Sequence, residues 1–463
     1  MQKFFTISKL AFVSIICLSL LNFGASCTKG GDSAAIAAYK PIKLVYWSVW
    51  NSSSDLNALT TAYKQIHPNI SIEYHKIPYQ DYEKELLNAL AEDRGPDIFS
   101  VHNTWVTEYQ NKILPLPSTT KLASKFIQGT IKKEEVVQFI TKKSLTPADI
   151  EKQFVEVVGK DVTIDQQVYG LPLNLDTMVL YYNKDILDNK GIPLPPASWQ
   201  DFEEQVHKIK EVDADGKIVL AGAGIGTGKN IARSADLLSV LMMQNLTKMV
   251  ADNGEVIFDS IPAQLKNKVK VAPGESALEF YTKFADSLYD YYYTWNDKMP
   301  NSLDAFINGQ SAFFFGYAYN LGTIYDKAPK LNFAIAALPQ IAGNPKVNFA
   351  NYWVETVSKK TKYQDAAWNF VQFITNKDNV KQYLDAQKRP TALRALINDQ
   401  LNDPIMGVFA DQVLTAKSWY RGAQPNEAEK IFIDMIDSVA LGKSTAHDAI
   451  HKTCEKIQQT WFE

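Results

Sequence analysis

Cysteine is scarce in this chain, with Cys17, Cys27 and Cys454 the only three among 463 residues. Cys17 lies inside an N-terminal apolar segment and Cys27 at its end, so Cys454 has no partner and a disulfide framework is excluded even for an oxidising compartment. Metal-ligand sets with the right spacing are also missing. His447 and His451 stand as on a zinc-protease helix, but Asp448 replaces the glutamate and the chain ends soon after. Glu211, Asp213 and Asp215 precede Gly216 as in a calcium loop, yet Gly222 stands where the bidentate glutamate belongs, so a hairpin turn is expected. The glycines from Gly222 to Gly228 lack the dinucleotide spacing, with Thr227 in place of the third glycine. Nor do they make a phosphate loop, since Ala223 and Asn230 occupy its first glycine and its hydroxyl position. No basic excess exists: 48 Lys and Arg face 51 Asp and Glu, which argues against nucleic acid as a partner. Without a nucleophile, a paired base or a metal set, nothing supports catalysis, and no cofactor is expected.

What is present begins with the N-terminus. Lys3 and Lys9 are followed by an apolar run from Leu10 to Leu21, then by Gly24-Ala25-Ser26 before Cys27. The run is too short for a membrane-spanning helix and reads as an export signal over residues 1–26. Cleavage before Cys27 would free its thiol for lipid attachment and leave residues 27–40 as a flexible tether. The alternative is an ordinary cleaved signal, since Gly24 stands where a lipobox usually has leucine. Either reading places the folded body outside the cytoplasm. Its stability must come from a core, and 46% hydrophobic residues in a chain of this length suffice for two domains.

From Lys43 the periodicity alternates between strand and helix. Lys43 to Trp47 reads as a strand, Leu56, Leu59, Tyr63 and Ile66 share a helical face, and Ser71 to His75 is extended again. Tyr82, Leu86 and Leu90 mark a second helix that stops at Gly95-Pro96, and Asp97 to Val101 is the next strand. Such alternation predicts an α/β fold with a mainly parallel sheet, whose ligand site lies beyond the carboxyl ends of the strands. Residues 119–167 read as a surface helical excursion. Met178 to Tyr182 is apolar enough for a strand buried on both faces. A turn at Asp213 to Gly216 precedes an expected helical stretch to about Met249, and further strands are expected at Phe313 to Phe315, Asn332 to Leu338 and Asn351 to Val357.

Several ordered segments then carry a resemblance. They are Leu44 to Asn51, His67-Pro68-Asn69-Ile70, Pro96-Asp97-Ile98 with Trp105, and Tyr169-Gly170-Leu171-Pro172 through Tyr182-Asn183-Lys184-Asp185. Ser198-Trp199-Gln200-Asp201-Phe202, Phe306 to Asn320, Leu338-Pro339, Trp353 to Lys359, Ala366 to Thr375 and Arg389-Pro390-Thr391 follow in order. In this set the chain resembles the family 1 bacterial extracellular solute-binding proteins, the maltose-binding-protein-like group that serves ABC importers. The resemblance implies a two-lobe periplasmic-binding-protein fold of type II, with ligand held in a cleft between lobes joined by crossing strands. It places lobe 1 at residues 41–176 plus 355–400 and lobe 2 at 177–354 plus 401–463, with crossings near Asp176 to Leu180, Asn351 to Thr356 and Leu401. It also implies a permease as partner, a monomeric state and a small solute, above all a mono- or oligosaccharide.

A sugar offers flat C–H faces and a rim of hydroxyls, so its site needs aromatic platforms with amides, carboxylates or arginine around them. The positions that match the family's cleft have that chemistry. Asp176 precedes the first crossing, Trp353 stands at the second, and Tyr317 and Tyr319 are alternatives for the stacking residue, since Gly316-Tyr317-Ala318-Tyr319 departs from the family's usual Gly-Ser-Trp. Trp50, Asn51, His102, Asn103, Asn174 and Arg389 are expected on the rim, and Trp419 and Arg421 in a C-terminal loop facing the cleft. Trp47, Trp199 and the patch from Tyr289 to Trp295 are expected to serve packing. The rival readings are a surface lyase or hydrolase, which would need a second acid opposite Asp176, and a sensor of the same fold without a permease.

Overall fold

A computed structural model describes residues 32–130 and 133–462. The expected signal segment and Cys27 lie outside the described residues. The described residues divide into a small unit, residues 32–41, 121–130 and 133–141, and a large one, residues 42–120 and 142–462.

In the small unit the expected tether is helical over Ser33–Ala38, where alanines of high helix propensity follow Asp32, whose carboxylate caps the Ala34 amide at 3.0 Å. The expected helical excursion is also corrected. Thr119–Gln128 and Glu134–Lys143 form a two-stranded sheet, because Phe126, Ile127, Val136, Val137, Phe139 and Ile140 are β-branched or aromatic. Its arms are linked by the Lys125–Glu135 ion pair at 2.6 Å and by the Lys121 ammonium 4.3 Å from the Phe139 ring centre. Helices begin only at Pro147–Gln153 and Glu156–Val162, which belong to the large unit.

Two five-stranded sheets organise the large unit. The first runs Ile70–Lys76, Ile42–Ser48, Ile98–His102, Trp353–Val357, Leu171–Pro172. The second runs Glu211–Val212, Ile218–Ala223, Ser311–Gly316, Val179–Asn183, Phe333–Ala337. The expected mainly parallel order holds for the first three strands of the first sheet and for Ile218–Ala223 beside Ser311–Gly316. The remaining neighbours are antiparallel. Trp353–Val357 enters its sheet directly from another strand rather than through a helical crossover, and so runs against its neighbours.

Packing follows the apolar periodicity. Leu56, Leu59 and Tyr63 point inward from helix Ser53–Ile66, whereas Ile66 is 52% exposed because the helix ends there. In the strand Val179–Asn183 successive side chains enter different cores: Val179 and Tyr181 join Phe306, Phe314 and Phe409, while Leu180 joins Trp199, Phe202 and Phe315. That two-sided burial is what its apolar density predicts, and each such side chain contributes about 1.5–3 kcal/mol. Trp199 is a packing residue, its indole N–H donating to Gln244 at 2.6 Å. The turn at Asp213 to Gly216 is a hairpin, but a strand rather than a helix follows, and the helix spans only Ser234–Gln244. Gly222 is required where helix Trp199–Ile209 presses on that strand, since a Cβ there would sit 2.8 Å from Val206 Cα.

The two sheets with their helices are two α/β lobes, and the connections between them determine where a site can form. Asp176–Thr177 pairs antiparallel with Asn348–Asn351 in a small third sheet completed by Ala416–Lys417. Met178 alone separates Asp176–Thr177 from the second sheet, and Tyr352 alone separates Asn348–Asn351 from the first. Two crossings therefore run side by side, and the third passes between helices Arg394–Gln400 and Met406–Ala410.

Candidate ligand-binding cleft

The exits of the first-sheet strands face these crossings. Ile42–Ser48 leads to Trp50 and Asn51, and Ile98–His102 leads into the short turn Asn103–Trp105. A small cavity, partly open to solvent, forms there. Trp50, Asn51 and Ser48 line it from one strand exit, Asn174, Asp176, Asn351 and Trp353 from the crossings, Tyr319 from beyond Ser311–Gly316, and Tyr383 and Arg389 from the C-terminal half. A second small cavity is lined by His102, Thr104, Arg233, Asp236, Trp419 and Glu429, among others.

Aromatic rings form the first cavity's walls. The Trp50 ring is 40% exposed and stacks on Tyr319 with centroids 5.5 Å apart and planes 15° apart. Tyr79 stacks on Trp50 at 6.0 Å and Tyr317 on Tyr319 at 5.6 Å, so four rings lie in series. Trp353 stands edge-on to Trp50 at 6.4 Å and to Trp105 at 5.4 Å, which fixes its face. Of the two tyrosines left as alternatives, Tyr319 lines the cavity, whereas Tyr317 is fully buried with its hydroxyl donating to Asp236 at 2.7 Å.

The polar groups are held from behind. Asp176 accepts from the amides of Thr177 at 3.0 Å and Tyr319 at 3.3 Å. Burial pushes its carboxyl up to about 7, against the pull of those amides and Arg389. Glu355 lines the same cavity, accepts from the Ser100 hydroxyl at 2.6 Å, and is also raised to about 7 by burial. Asn51 is oriented by the Tyr383 hydroxyl, 2.7 Å from its Oδ1. Between the cavities, Asn351 donates to Asp236 at 3.2 Å and meets His102 Nε2 at 3.4 Å. Burial drives His102 down to about 4, so the ring is neutral, and a proton on Nε2 leaves Nδ1 to accept from Thr104.

The expected residues thus separate into three groups. Trp50, Asn51, Asn174, Asp176, Tyr319, Trp353 and Arg389 surround the first cavity, while His102 and Trp419 line the second. Asn103, Tyr317 and Arg421 stand behind the walls: Asn103 and Arg421 both bond the buried Asp161, at 3.0 and 2.8 Å. Residues missed in the sequence are Arg233, Asp236, Glu355, Tyr383 and Glu429. Asp236 carried a signal, being an acid just before the run Leu237 to Met243 in a helix buried nearly throughout. Its carboxylate would be raised by burial, but Arg233, bound through two nitrogens at 2.7 and 2.9 Å, with Tyr317 and Asn351, holds it below the usual range. Glu355 supplies a second acid in the cavity that Asp176 lines.

Comparison with known proteins agrees with this geometry. A family model for bacterial extracellular solute-binding proteins matches residues 49–381. The chain belongs to that family. Among the relatives of this solute-binding protein, the galactooligosaccharide-binding protein of Bacillus subtilis is 21% identical over 97% of this chain and 96% of its own. The maltodextrin-binding protein of the same organism is 26% identical over 67% of this chain and 72% of its own. An ABC transporter solute-binding protein from Thermotoga lettingae, solved with α-D-tagatose, superposes with a TM-score of 0.67 at 17% identity, covering 91% of this chain and all of that one. These relatives are binding proteins rather than enzymes.

Proposed function

We propose that this solute-binding protein captures a mono- or oligosaccharide in the cleft lined by Trp50, Tyr319 and Trp353 and presents it, unchanged, to an ABC permease. The observation that carries the reading is the pairing of a cluster of aromatic rings, Trp50 among them partly exposed, with amide, carboxyl and guanidinium groups in one cavity at the crossings. Stacking supplies apolar contact for a sugar ring, and the polar groups fix its hydroxyls. Residues 41–176 plus 355–400 and residues 177–354 plus 401–463 act as the two lobes, turning about the paired crossings so that a ligand touching both closes them.

Cys27 carries the lipid that tethers the protein to the outer side of a bacterial membrane, and the folded body works as a monomer. Mass spectrometry of the N-terminal peptide checks the lipid, with loss of membrane partitioning in Cys27→Ser. The hydrolase reading draws on Glu355, the second acid of the cavity. Its carboxyl is engaged by the Ser100 hydroxyl behind the wall, a supporting role rather than a reacting one. Thermal unfolding with a sugar panel, followed by recovery of the sugar, tests the whole reading. A binding-only protein gains about 2.7 kcal/mol at a hundredfold excess of ligand over Kd and returns the sugar intact; a consumed sugar would replace the reading with catalysis.

A further inference from the structure

The arginines around the cleft differ in one respect. Arg233 is bound to Asp236 and Glu429, and Arg421 to Asp161. Arg389 lines the first cavity, and among the described residues its guanidinium has no carboxylate oxygen within 4.0 Å and no hydrogen-bond acceptor. Three acceptors in that cavity are already engaged. Asp176 already receives two amides, Glu355 the Ser100 hydroxyl, and the Asn51 carbonyl the Tyr383 hydroxyl. The unengaged groups include donors: the Arg389 guanidinium, the Asn51 amide nitrogen and the indole N–H groups of Trp50 and Trp353.

A neutral sugar hydroxyl both gives and takes a hydrogen bond but carries no charge to match a guanidinium. A carboxylate only accepts, is planar, and matches the guanidinium fork with two parallel bonds. Closing the lobes over an unpaired guanidinium would also remove it from water, a cost that an anionic partner offsets. We propose that Arg389 is a specificity-determining residue that receives the carboxylate of an acidic saccharide, a uronic acid unit whose ring lies against Trp50, Tyr319 and Trp353. This rests on the saccharide reading above. A phosphate dianion is disfavoured, because among the described residues Arg389 is the only cationic side chain lining that cavity.

Titration calorimetry of the purified protein tests this with sugar pairs differing only at C6: galacturonate and galactose, glucuronate and glucose, mannuronate and mannose, plus galactose 6-phosphate. At least one acid should bind about tenfold to a hundredfold more tightly than its neutral partner, the usual range for a charge-assisted hydrogen bond. That preference should shrink as salt is raised. Arg389→Gln should erase it, and Arg389→Lys, which keeps the charge without the fork, should retain part of it. A neutral sugar that binds as tightly as its acid overturns the inference while leaving the saccharide reading intact. Tighter binding of the phosphate, or an acid preference that survives Arg389→Gln, overturns it too. If no sugar of either kind binds, the saccharide reading itself fails.

Discussion

The two cavities flanking Asn351 are built from similar residues and differ in how their charges are balanced. In the second, Arg233 is closed off by Asp236 and Glu429, and Asp236 also holds Tyr317 and Asn351. In the first, the acids are pushed towards neutrality by burial while Arg389 stays open. The same residue types therefore make a structural brace on one side and a receptive surface on the other. What separates them is whether each charge has spent its partners inside the protein.

The largest effect that could break this comparison is expected from Asp236→Ala. It strands a buried Arg233 and removes the acceptor of Tyr317 and Asn351, so denaturant unfolding should show a loss of about 3–5 kcal/mol. A loss under about 1 kcal/mol would show that the brace is not structural. Next comes pH. Asp176 and Glu355 have folded-state values near 7, above the ordinary carboxylate values of 3.8 and 4.5. The folded state then binds more protons than the unfolded one, so each stabilises most below about pH 4, and that contribution is lost as pH rises through 7. His102 opposes them: its folded value near 4 against 6.5 adds stability as pH rises across that interval. Glu355→Gln should remove about 1–3 kcal/mol of the decline between pH 4 and 8, read from denaturant midpoints.

Trp353→Ala and Trp50→Ala sharpen the other side of the comparison. Each should weaken ligand binding by about 2 kcal/mol, as for a buried aromatic anchor. Trp50→Ala should barely change stability, because its ring is already 40% exposed. The smallest effect belongs to Glu429→Gln. Its carboxylate is 37% exposed, so solvent screening should limit the loss to under about 1 kcal/mol, against the several expected for Asp236.

The contrast also explains what the sequence could convey. Strand exits rich in Trp and Asn and the doubly buried strand at Val179–Asn183 were legible because they follow from local periodicity, whereas the crossing at Asp176 came from the family resemblance. Glu355 was hidden inside an apolar strand, and Tyr383 comes from a helix more than 300 residues away in sequence from the Asn51 it orients. Tyr317 and Tyr319 looked equivalent in one short motif, yet in the stacked pair they form, Tyr317 is the inner ring, bonded to Asp236, and Tyr319 the one that lines the cavity. The hairpin at Thr119 to Lys143 was misread as helix because its exposed Lys and Glu residues masked its β-branched and aromatic content.

Calorimetric titration of the purified protein with galactooligosaccharides, maltodextrins and uronic acids, wild type beside Trp353→Ala, tests the central claim most directly. The account predicts one saccharide bound per chain by the wild type and an affinity about thirtyfold lower in the variant. Equal binding by both proteins would move the site away from this cavity, and no heat with any saccharide would contradict the claim that the cleft receives a sugar.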